Sequence, residues 1–231
     1  MLRNLPCNFC CFLYPKNLAN KQEGFSDLKI SKSNIFIVSI IKRIMEFDKV
    51  LNKRHSARRF KETKKPDYKD IMEAIDAASK APLAGNLPCL KYILVSDKKL
   101  IGELAEACQQ EFIEKVHYIV VVCTDKKFLE KSYYERAEMY IRQEAGAAIE
   151  NFLLKVVDLG LASCWIGAFS DETVKRILKI PDNIQIEALL PVGFEVERTE
   201  KKSKPLLESV MYFDGWGFAK RDMTREPMPL D

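Results

Sequence analysis

The chain has 231 residues, 47% hydrophobic and 30% charged, with 9 glycines and 10 prolines, a composition typical of one large or two small folded domains and unlike low-complexity chains. No run of about 18 apolar residues occurs, which argues against a membrane-spanning helix. The formal net charge is +4, but residues 45–231 alone carry −1, so nucleic acid, whose binding needs basic charge across the folded surface, is not the expected partner.

The front segment, residues 1–44, differs from the rest of the chain. It contains seven basic and two acidic residues, a charge of +5, and shows no clear hydrophobic period. Met45 then begins a stretch typical of a protein start. We therefore expect the functional domain to occupy residues 45–231, with residues 1–44 a poorly structured extension or the result of start-site choice.

The first half of the domain is predicted to alternate helices with a strand. A short helix is expected at 47–52 and an amphipathic helix at 66–80, where Ile71, Ala74, Ile75 and Ala78 follow the i, i+3, i+4, i+7 pattern. Pro82, Gly85 and Pro88 then predict a loop. A strand at 92–95 and a helix at 98–109 follow.

The second half contains the clearest strand, at 118–123. This segment is apolar on both faces, which places it centrally in a covered sheet. A long helix is predicted over 135–159 with Gly160 just after its end, then a short strand at 164–166. Ser170 is expected to cap the next helix, a strand follows at 186–192, and the last 35 or so residues are expected to be extended. The pattern predicts an α+β sandwich with one core.

The seven cysteines do not resemble a secreted disulfide framework. Cys89, Cys108, Cys123 and Cys164 each stand alone in an apolar stretch, which is typical of small buried side chains in a reducing cytosol. Cys7, Cys10 and Cys11 form a cluster, but neither histidine lies near enough in sequence to complete a zinc site. We expect no bound metal and a cytoplasmic location.

A basic motif, Arg-His-Ser-Ala-Arg-Arg-Phe, occupies residues 54–60. If this segment is extended, Arg54, Ser56 and Arg58 project to one side, because side chains alternate along an extended chain. Two guanidinium groups and a hydroxyl match the oxygens of a phosphate. A solvated basic turn is the alternative, and Lys202 and Lys204 near the other end of the domain would have to fold back to complete a phosphate site.

Two further motifs carry candidate binding groups. In Ala-Pro-Leu-Ala-Gly-Asn at 81–86, Asn86 offers a donor and an acceptor suited to the mixed edge of a heterocycle, although a simple turn is the alternative. In Cys-Trp-Ile-Gly at 164–167, backbone N–H groups near Gly167 can donate to a ligand, although a core strand ending at a glycine fits equally well.

The order and spacing of these motifs resemble the FMN-dependent nitroreductase family. The resemblance covers residues 46 to about 217. The matching segments are R-x-S-x-R-x-F at 54–60, A-P-x-A-G-N at 81–86, the long helix at 147–154, L-G-L at 159–161, C-W-I-G at 164–167, P-V-G-F at 191–194, K-x-K-P at 202–205 and D-G-W-G at 214–217.

The resemblance implies a three-layer α/β sandwich with a central, mostly antiparallel sheet, assembled as a homodimer with FMN at the subunit interface. It further implies that NADH or NADPH passes hydride to the flavin N5, and that the reduced flavin then reduces an oxidised small molecule such as a nitroaromatic or quinone. No catalytic side chain is implied. The implied cofactor-binding residues are Arg54, His55 (through its backbone), Ser56, Arg58, Pro82 and Leu83 from the partner subunit, Asn86, Ile166 and Gly167 at the N5 edge, Lys202 and Lys204.

The loop departs from the family pattern at two places. Leu83 replaces a serine, and Pro88-Cys89-Leu90 stands where Gln-Pro-Trp is usual. These departures affect the substrate more than the cofactor. Three alternatives therefore stay open. They are a flavoenzyme of the same fold dedicated to one metabolite, a non-catalytic FMN carrier and, least favoured, a nucleic-acid binder acting through the basic front segment.

Overall fold

The structure, a computed structural model, describes residues 47–197 and 203–218. The predictions for residues 1–44 and for Lys202 lie outside these ranges. The helices in the described part are α1 Phe47–Lys53, α2 Tyr68–Ser79, α3 Lys98–Cys108, α4 Lys127–Tyr133, α5 Ala137–Asp158 and α6 Asp171–Leu178. The strands are β1 Leu90–Val95, β2 Tyr118–Asp125, β3 Ala162–Ser163 and β4 Ile184–Gly193.

The four strands form one antiparallel sheet in the order β1-β2-β4-β3. Strand β2 is central and buried along nearly its whole length, as its apolar sequence predicts. Its run of β-branched residues suits a pleated surface covered on both sides. The sheet therefore has two edges, β1 on one side and β3 on the other.

Helices cover both faces of the sheet, and alternate residues of β2 point to each. Val120 and Val122 pack with α2 and α5 on one face, whereas Ile119, Val121 and Cys123 pack with α3 and α6 on the other. The predicted three-layer α+β sandwich is confirmed. The single core expected from the sequence is instead divided by the sheet into two clusters, because period-2 alternation sends neighbouring side chains to opposite faces.

Local sequence determines several element ends as predicted. Ser170 caps α6, its hydroxyl accepting the Thr173 N–H at 3.4 Å, and Gly160 follows α5 with φ of 75°, a left-handed conformation that glycine adopts without steric cost. The strand predicted at 164–166 lies two residues earlier, at Ala162–Ser163, and only Ile166 returns to bridge Leu189. Helix α4 was not predicted.

Residues 203–218 contain no regular helix or strand beyond a 3₁₀ turn at Leu207–Ser209, and the chain bends at 213–217, where the Phe213 N–H donates to the Phe218 carbonyl. The extended course expected for the end of the chain is therefore interrupted by these turns. No helix among the described residues is both long and apolar enough to cross a membrane.

Candidate functional site

The basic motif forms an irregular strap, residues 54–60, along the β3 edge of the sheet. The Ala57 N–H donates to the Ser163 carbonyl at 3.0 Å, and Phe60 forms a bridge with Glu195. Ala57 and Phe60 are buried, whereas Ser56 and Arg58 are exposed. Anchoring Ala57 inward leaves Ser56 and Arg58, its two neighbours, to project outward, as the alternation of an extended chain predicts.

The strap lies beside the Cys-Trp-Ile-Gly segment, and the groups that act on the pKa of Cys164 indicate this proximity. Burial raises the pKa of the Cys164 thiol, while the Arg58 charge and a hydrogen bond with the Ser56 side chain lower it. Such effects require close approach. The structure therefore brings Ser56, Arg58 and the 164–167 segment together, although they are more than a hundred residues apart in sequence.

Arg54 and His55 are held by side-chain partners. The Arg54 Nε lies 3.3 Å from a carboxylate oxygen of Glu150 on α5. The His55 ring lies between the Lys53 carbonyl, 2.9 Å from Nδ1, and the Glu195 carboxylate, 2.8 Å from Nε2. Both ring nitrogens of His55 thus face protein groups, a placement that suits the expectation that only its backbone takes part.

The two predicted main-chain donors differ in how available they are. The Ile166 N–H donates to the Leu189 carbonyl at 3.1 Å, and the Leu189 N–H donates to the Ile166 carbonyl at 3.0 Å. Ile166 therefore has both backbone groups in the sheet. Gly167 is exposed, and a Cβ there would approach only the Trp165 indole, at 3.9 Å. The backbone of Gly167 is the more accessible of the two to a ligand.

The Pro82–Asn86 region forms a tight turn. Pro82 and Asn86 are exposed, Leu83 is half-buried, and the Asn86 N–H donates to the Leu83 carbonyl at 3.1 Å. Gly85 and Asn86 have φ of 58° and 56°, left-handed values that glycine and asparagine tolerate best. A Cβ at Gly85 would meet the Tyr133 hydroxyl at 2.5 Å, so a larger residue would have to displace that ring as well as adopt a positive φ.

Glu144 is a buried residue near this turn that the sequence analysis did not single out. Its side chain is only 4% exposed. One carboxylate oxygen accepts the Ala84 N–H at 2.6 Å, and the other accepts the Cys89 thiol at 2.7 Å. Ile141, Glu144 and Ala148 share the buried face of α5, and this i, i+3, i+7 spacing is the pattern that could have identified the residue.

Cys89 is a proton donor in this contact because of its surroundings. Burial first, and then the hydrogen bond and charge of Glu144, together raise the pKa of its thiol to about 12. The thiol therefore keeps its proton near neutral pH. Cys89, one of the residues that departs from the family pattern, is a structural partner of Glu144.

The predicted binding groups lie at opposite edges of the sheet within one chain. The turn at 84–86 leads into β1, whereas the strap and Ile166 lie along the far side of β4, at the β3 edge. Strands lie about 4.8 Å apart, so three spacings separate these edges by about 14 Å. Lys204 is exposed, and its predicted convergence with Arg54 stays a prediction.

The donors at the β3 edge fit a phosphomononucleotide. Ser56 and Arg58 supply a hydroxyl and a forked cation on one exposed face, and a planar guanidinium binds phosphate oxygens in pairs. Gly167, three residues after Cys164, has exposed backbone. A cationic face can bind the phosphate of such a ligand, and exposed backbone can accommodate its ring.

The fold is an antiparallel sheet between two helical layers, with an exposed serine and arginine on a strap at one edge, and a solved nitroreductase family protein shares it. The model of the nitroreductase family matches residues 51–118 and 104–194. The chain belongs to the nitroreductase family. Membership of this family makes the chain an oxidoreductase.

Individual relatives support this assignment. The chain is 27% identical over 158 residues to the iodotyrosine deiodinase of Thermotoga neapolitana, covering 62% of this chain and 84% of the relative. It is 24% identical over 189 residues to the oxygen-insensitive NADPH nitroreductase of Helicobacter pylori, covering 67% and 90%. A nitroreductase family protein from Clostridium novyi has a similar structure, with a TM-score of 0.60, 29% identity and coverage of 75% and 96%.

Proposed function

We propose that this protein takes hydride from NADH or NADPH and, through bound FMN, reduces an oxidised small molecule such as a nitroaromatic or a quinone. The observation that carries the proposal is the exposed face formed by Ser56 and Arg58 next to the 164–167 segment. The relative from H. pylori, named an oxygen-insensitive NADPH nitroreductase, supports the choice of donor and acceptor.

The strap would bind the phosphate. Arg58 and Ser56 would donate to its oxygens, with Arg54 beside them and its Nε edge oriented by Glu150. Lys202 and Lys204 would add positive charge from the other end of the domain. These contacts would hold the phosphate end of the cofactor and leave its ring free to contact Gly167.

The ring would lie against Gly167, with Asn86 supplying a paired donor and acceptor at its polar edge. When bound, FMN supplies the chemistry of accepting and returning a hydride. The chain contributes position and hydrogen bonds. A backbone N–H aimed at the ring stabilises negative charge there without needing an acidic side chain, which agrees with the expectation of no catalytic residue.

A complete site would need two chains. Asn86, Pro82 and Leu83 belong to the segment that leads into β1, and β1 and β3 are opposite edges of the sheet, about 14 Å apart by the strand spacing. A second copy can bring its β1 edge to the strap of the first. We therefore propose a homodimer with two equivalent sites, each built from the strap of one copy and the 82–86 turn of the other.

The functional unit would be residues 45–231, and its four described cysteines, all free and buried, suit a reducing cytoplasm. We place the reaction there on that basis. Residues 1–44 have no role in the proposed chemistry. We expect a version of the protein that starts at Met45 to bind FMN as tightly as the full chain does.

Reduction of bound FMN by each nicotinamide tests the proposed activity. The purified protein is expected to be yellow and to lose its visible absorbance under anaerobic conditions on addition of NADH or NADPH, and to regain it on addition of a quinone. Yellow protein that neither nucleotide bleaches would contradict the reductase and favour a flavin carrier. Colourless protein that takes up no added FMN would reject both, and a shift of a nucleic acid at physiological salt would then favour the nucleic-acid binder.

A flavoenzyme for one dedicated metabolite is the second candidate. Two observations favour it: the similarity to the T. neapolitana iodotyrosine deiodinase, and a turn in which Leu83 and Cys89 replace the usual residues. Turnover of a panel of nitroaromatics, quinones and halogenated phenols separates the candidates. Comparable kcat/KM values across the first two classes support the broad reductase, and a preference of several orders of magnitude for one halogenated compound supports the dedicated enzyme.

A further inference from the structure

The turn at 84–86 is held from beneath by one side chain. Glu144 accepts the Ala84 N–H at 2.6 Å and the Cys89 thiol at 2.7 Å. These two donors lie on either side of Asn86, so a single carboxylate fastens both ends of the segment that carries it. A buried carboxylate with two short hydrogen bonds is a stiff anchor, because losing either bond leaves a charge unsatisfied.

Few other contacts hold the turn. Pro82, Gly85 and Asn86 are exposed, and within the described residues the turn's own backbone bonds run only from Asn86 to Leu83 and from Leu87 to Ala84. The small cluster under it contains Cys89, Leu129, Ala137 and Ile141. Apolar packing resists lifting of the turn but does not fix its rotation, whereas hydrogen bonds are directional.

We propose that Glu144 is a positioning residue for the cofactor: by binding the Ala84 N–H and the Cys89 thiol, it fixes the orientation in which Asn86 meets the flavin ring. The proposal rests on the proposed function in that it takes FMN as the ligand. Its first consequence is that the 83–89 segment is ordered, and this can be tested on the protein without FMN.

The departure from the family pattern at Cys89 has a structural reason in this arrangement. Glu144 has two carboxylate oxygens and the backbone of the turn satisfies one of them. Cys89, fully buried, supplies a neutral donor small enough to fit beneath the turn for the other. A buried carboxylate without that second donor would be destabilised, since buried polar atoms need partners.

Three variants test the role. Glu144→Leu removes both acceptors while keeping a side chain of similar size, Glu144→Gln keeps one acceptor oxygen for the Ala84 N–H, and Glu187→Gln is the matched control. Glu187 is a carboxylate 6% exposed that accepts from Thr124 at 2.8 Å and pairs with Arg142, so its own contacts are with these two side chains and not with the Ala84 N–H or the Cys89 thiol. For each variant, hydrogen exchange of the 83–89 segment is measured by mass spectrometry without FMN, together with FMN affinity and unfolding free energy.

The expected result is a graded loss. Glu144→Leu raises exchange of the 83–89 segment and weakens FMN binding by about tenfold, the effect of displacing Asn86 and losing the hydrogen bonds that it would make to the ring. Glu144→Gln recovers most of the FMN affinity, and Glu187→Gln leaves both quantities at the wild-type level. A structural role alone would change the unfolding free energy without this selective recovery by glutamine.

Two results would overturn the proposal. One is exchange in Glu144→Leu that matches the wild type, which would show that the turn is held without the carboxylate. The other is faster exchange with unchanged FMN affinity, which would show that the order of the turn does not matter to the cofactor. If the wild-type protein binds no FMN, the proposed function fails instead, and the exchange data alone then decide whether Glu144 orders the turn.

Discussion

The strap at 54–60 and the C-terminal segment at 203–218 each carry part of the proposed phosphate site, yet they are built differently. Backbone hydrogen bonds fasten the strap to the body, including those from Ala57 to Ser163 and from Val196 to Arg59. In the described part of the C-terminal segment, the backbone bonds run only within the segment, as from Phe213 to Phe218. The two regions thus differ in how their described backbone is bonded to the rest of the chain.

Their apolar residues show the same contrast. Phe60 of the strap is 5% exposed, whereas Trp216 of the C-terminal segment is 90% exposed. Leu206, Leu207, Val210 and Phe218 are also largely exposed. Large exposed apolar side chains close together in sequence are typical of an interaction surface, so we expect another surface to cover this segment. In the proposed homodimer that surface is the second copy.

The largest expected effect belongs to the anchored region. Phe60 packs against Phe112 with ring centroids 6.2 Å apart, and its ring fills the space where Gly193 would have a Cβ, only 2.9 Å away. We expect Phe60→Ala to lower the free energy of unfolding by about 3–5 kcal/mol, because it leaves a cavity in a packed core. Chemical denaturation measures this, and the loss is expected to be independent of protein concentration.

Phe218→Ala is the matched comparison, since the same side chain is 64% exposed there. Its effect on unfolding is expected to be small at low protein concentration and to grow as the concentration rises, because any cover comes from a second copy. A large and concentration-independent loss for Phe218→Ala would remove the contrast between the two regions.

The next effect concerns FMN binding at the strap. We expect Arg54→Ala combined with Arg58→Ala to weaken FMN binding by about a hundredfold or more, because hydrogen bonds to charged groups contribute about 1.5–3 kcal/mol each. FMN fluorescence titration of the apoprotein measures the loss. Arg59→Ala is the control: Arg59 is exposed and lies 3.7 Å from Glu197. Equal FMN affinity in the double variant and the wild type would reject the phosphate assignment.

Long periodic segments were predictable from the sequence because their structure is determined locally. The apolar run of β2 and the amphipathic face of α5 each follow one period over many residues, and Gly160 and Ser170 end or begin helices through contacts within one turn. The alternation of an extended chain predicted Arg54, Ser56 and Arg58 on one face, and the inward-facing Ala57 agrees with that placement for Ser56 and Arg58.

Contacts between distant residues were not predictable in the same way. The bond from Ala84 to Glu144 joins residues 60 positions apart, and β3 has only two residues, too few to show a period. The separation of Asn86 from the strap depends on strand order, which no local pattern encodes. These features follow from how the chain packs, so they required coordinates.

A smaller effect is expected where the C-terminal segment would contact the second copy in the proposed homodimer. Trp216 contacts Tyr212 with ring centroids 5.0 Å apart, and this aromatic pair is the largest exposed apolar group of the segment. We expect Trp216→Ala to weaken homodimer formation by about 2 kcal/mol, the size of a typical interface hot spot. Sedimentation equilibrium measures the dissociation constant. Phe128→Ala is the control, because Phe128 is half exposed on α4. A wild-type chain that stays monomeric would contradict the homodimer itself.

The smallest effect is expected at Lys204, and its dependence on salt matters more than its size. Lys204 is an exposed point charge on the segment that lacks backbone bonds to the body, so its contribution to FMN binding is expected to be at most about 1 kcal/mol and to be screened by salt. Lys204→Ala should therefore weaken FMN binding several-fold at low ionic strength and hardly at all near 0.5 M salt, whereas the loss from the two arginines should persist. If Lys204→Ala costs as much as the arginine pair at high salt, the segment is held as firmly as the strap, because only a desolvated and rigidly placed ammonium keeps its full attraction to a phosphate under screening.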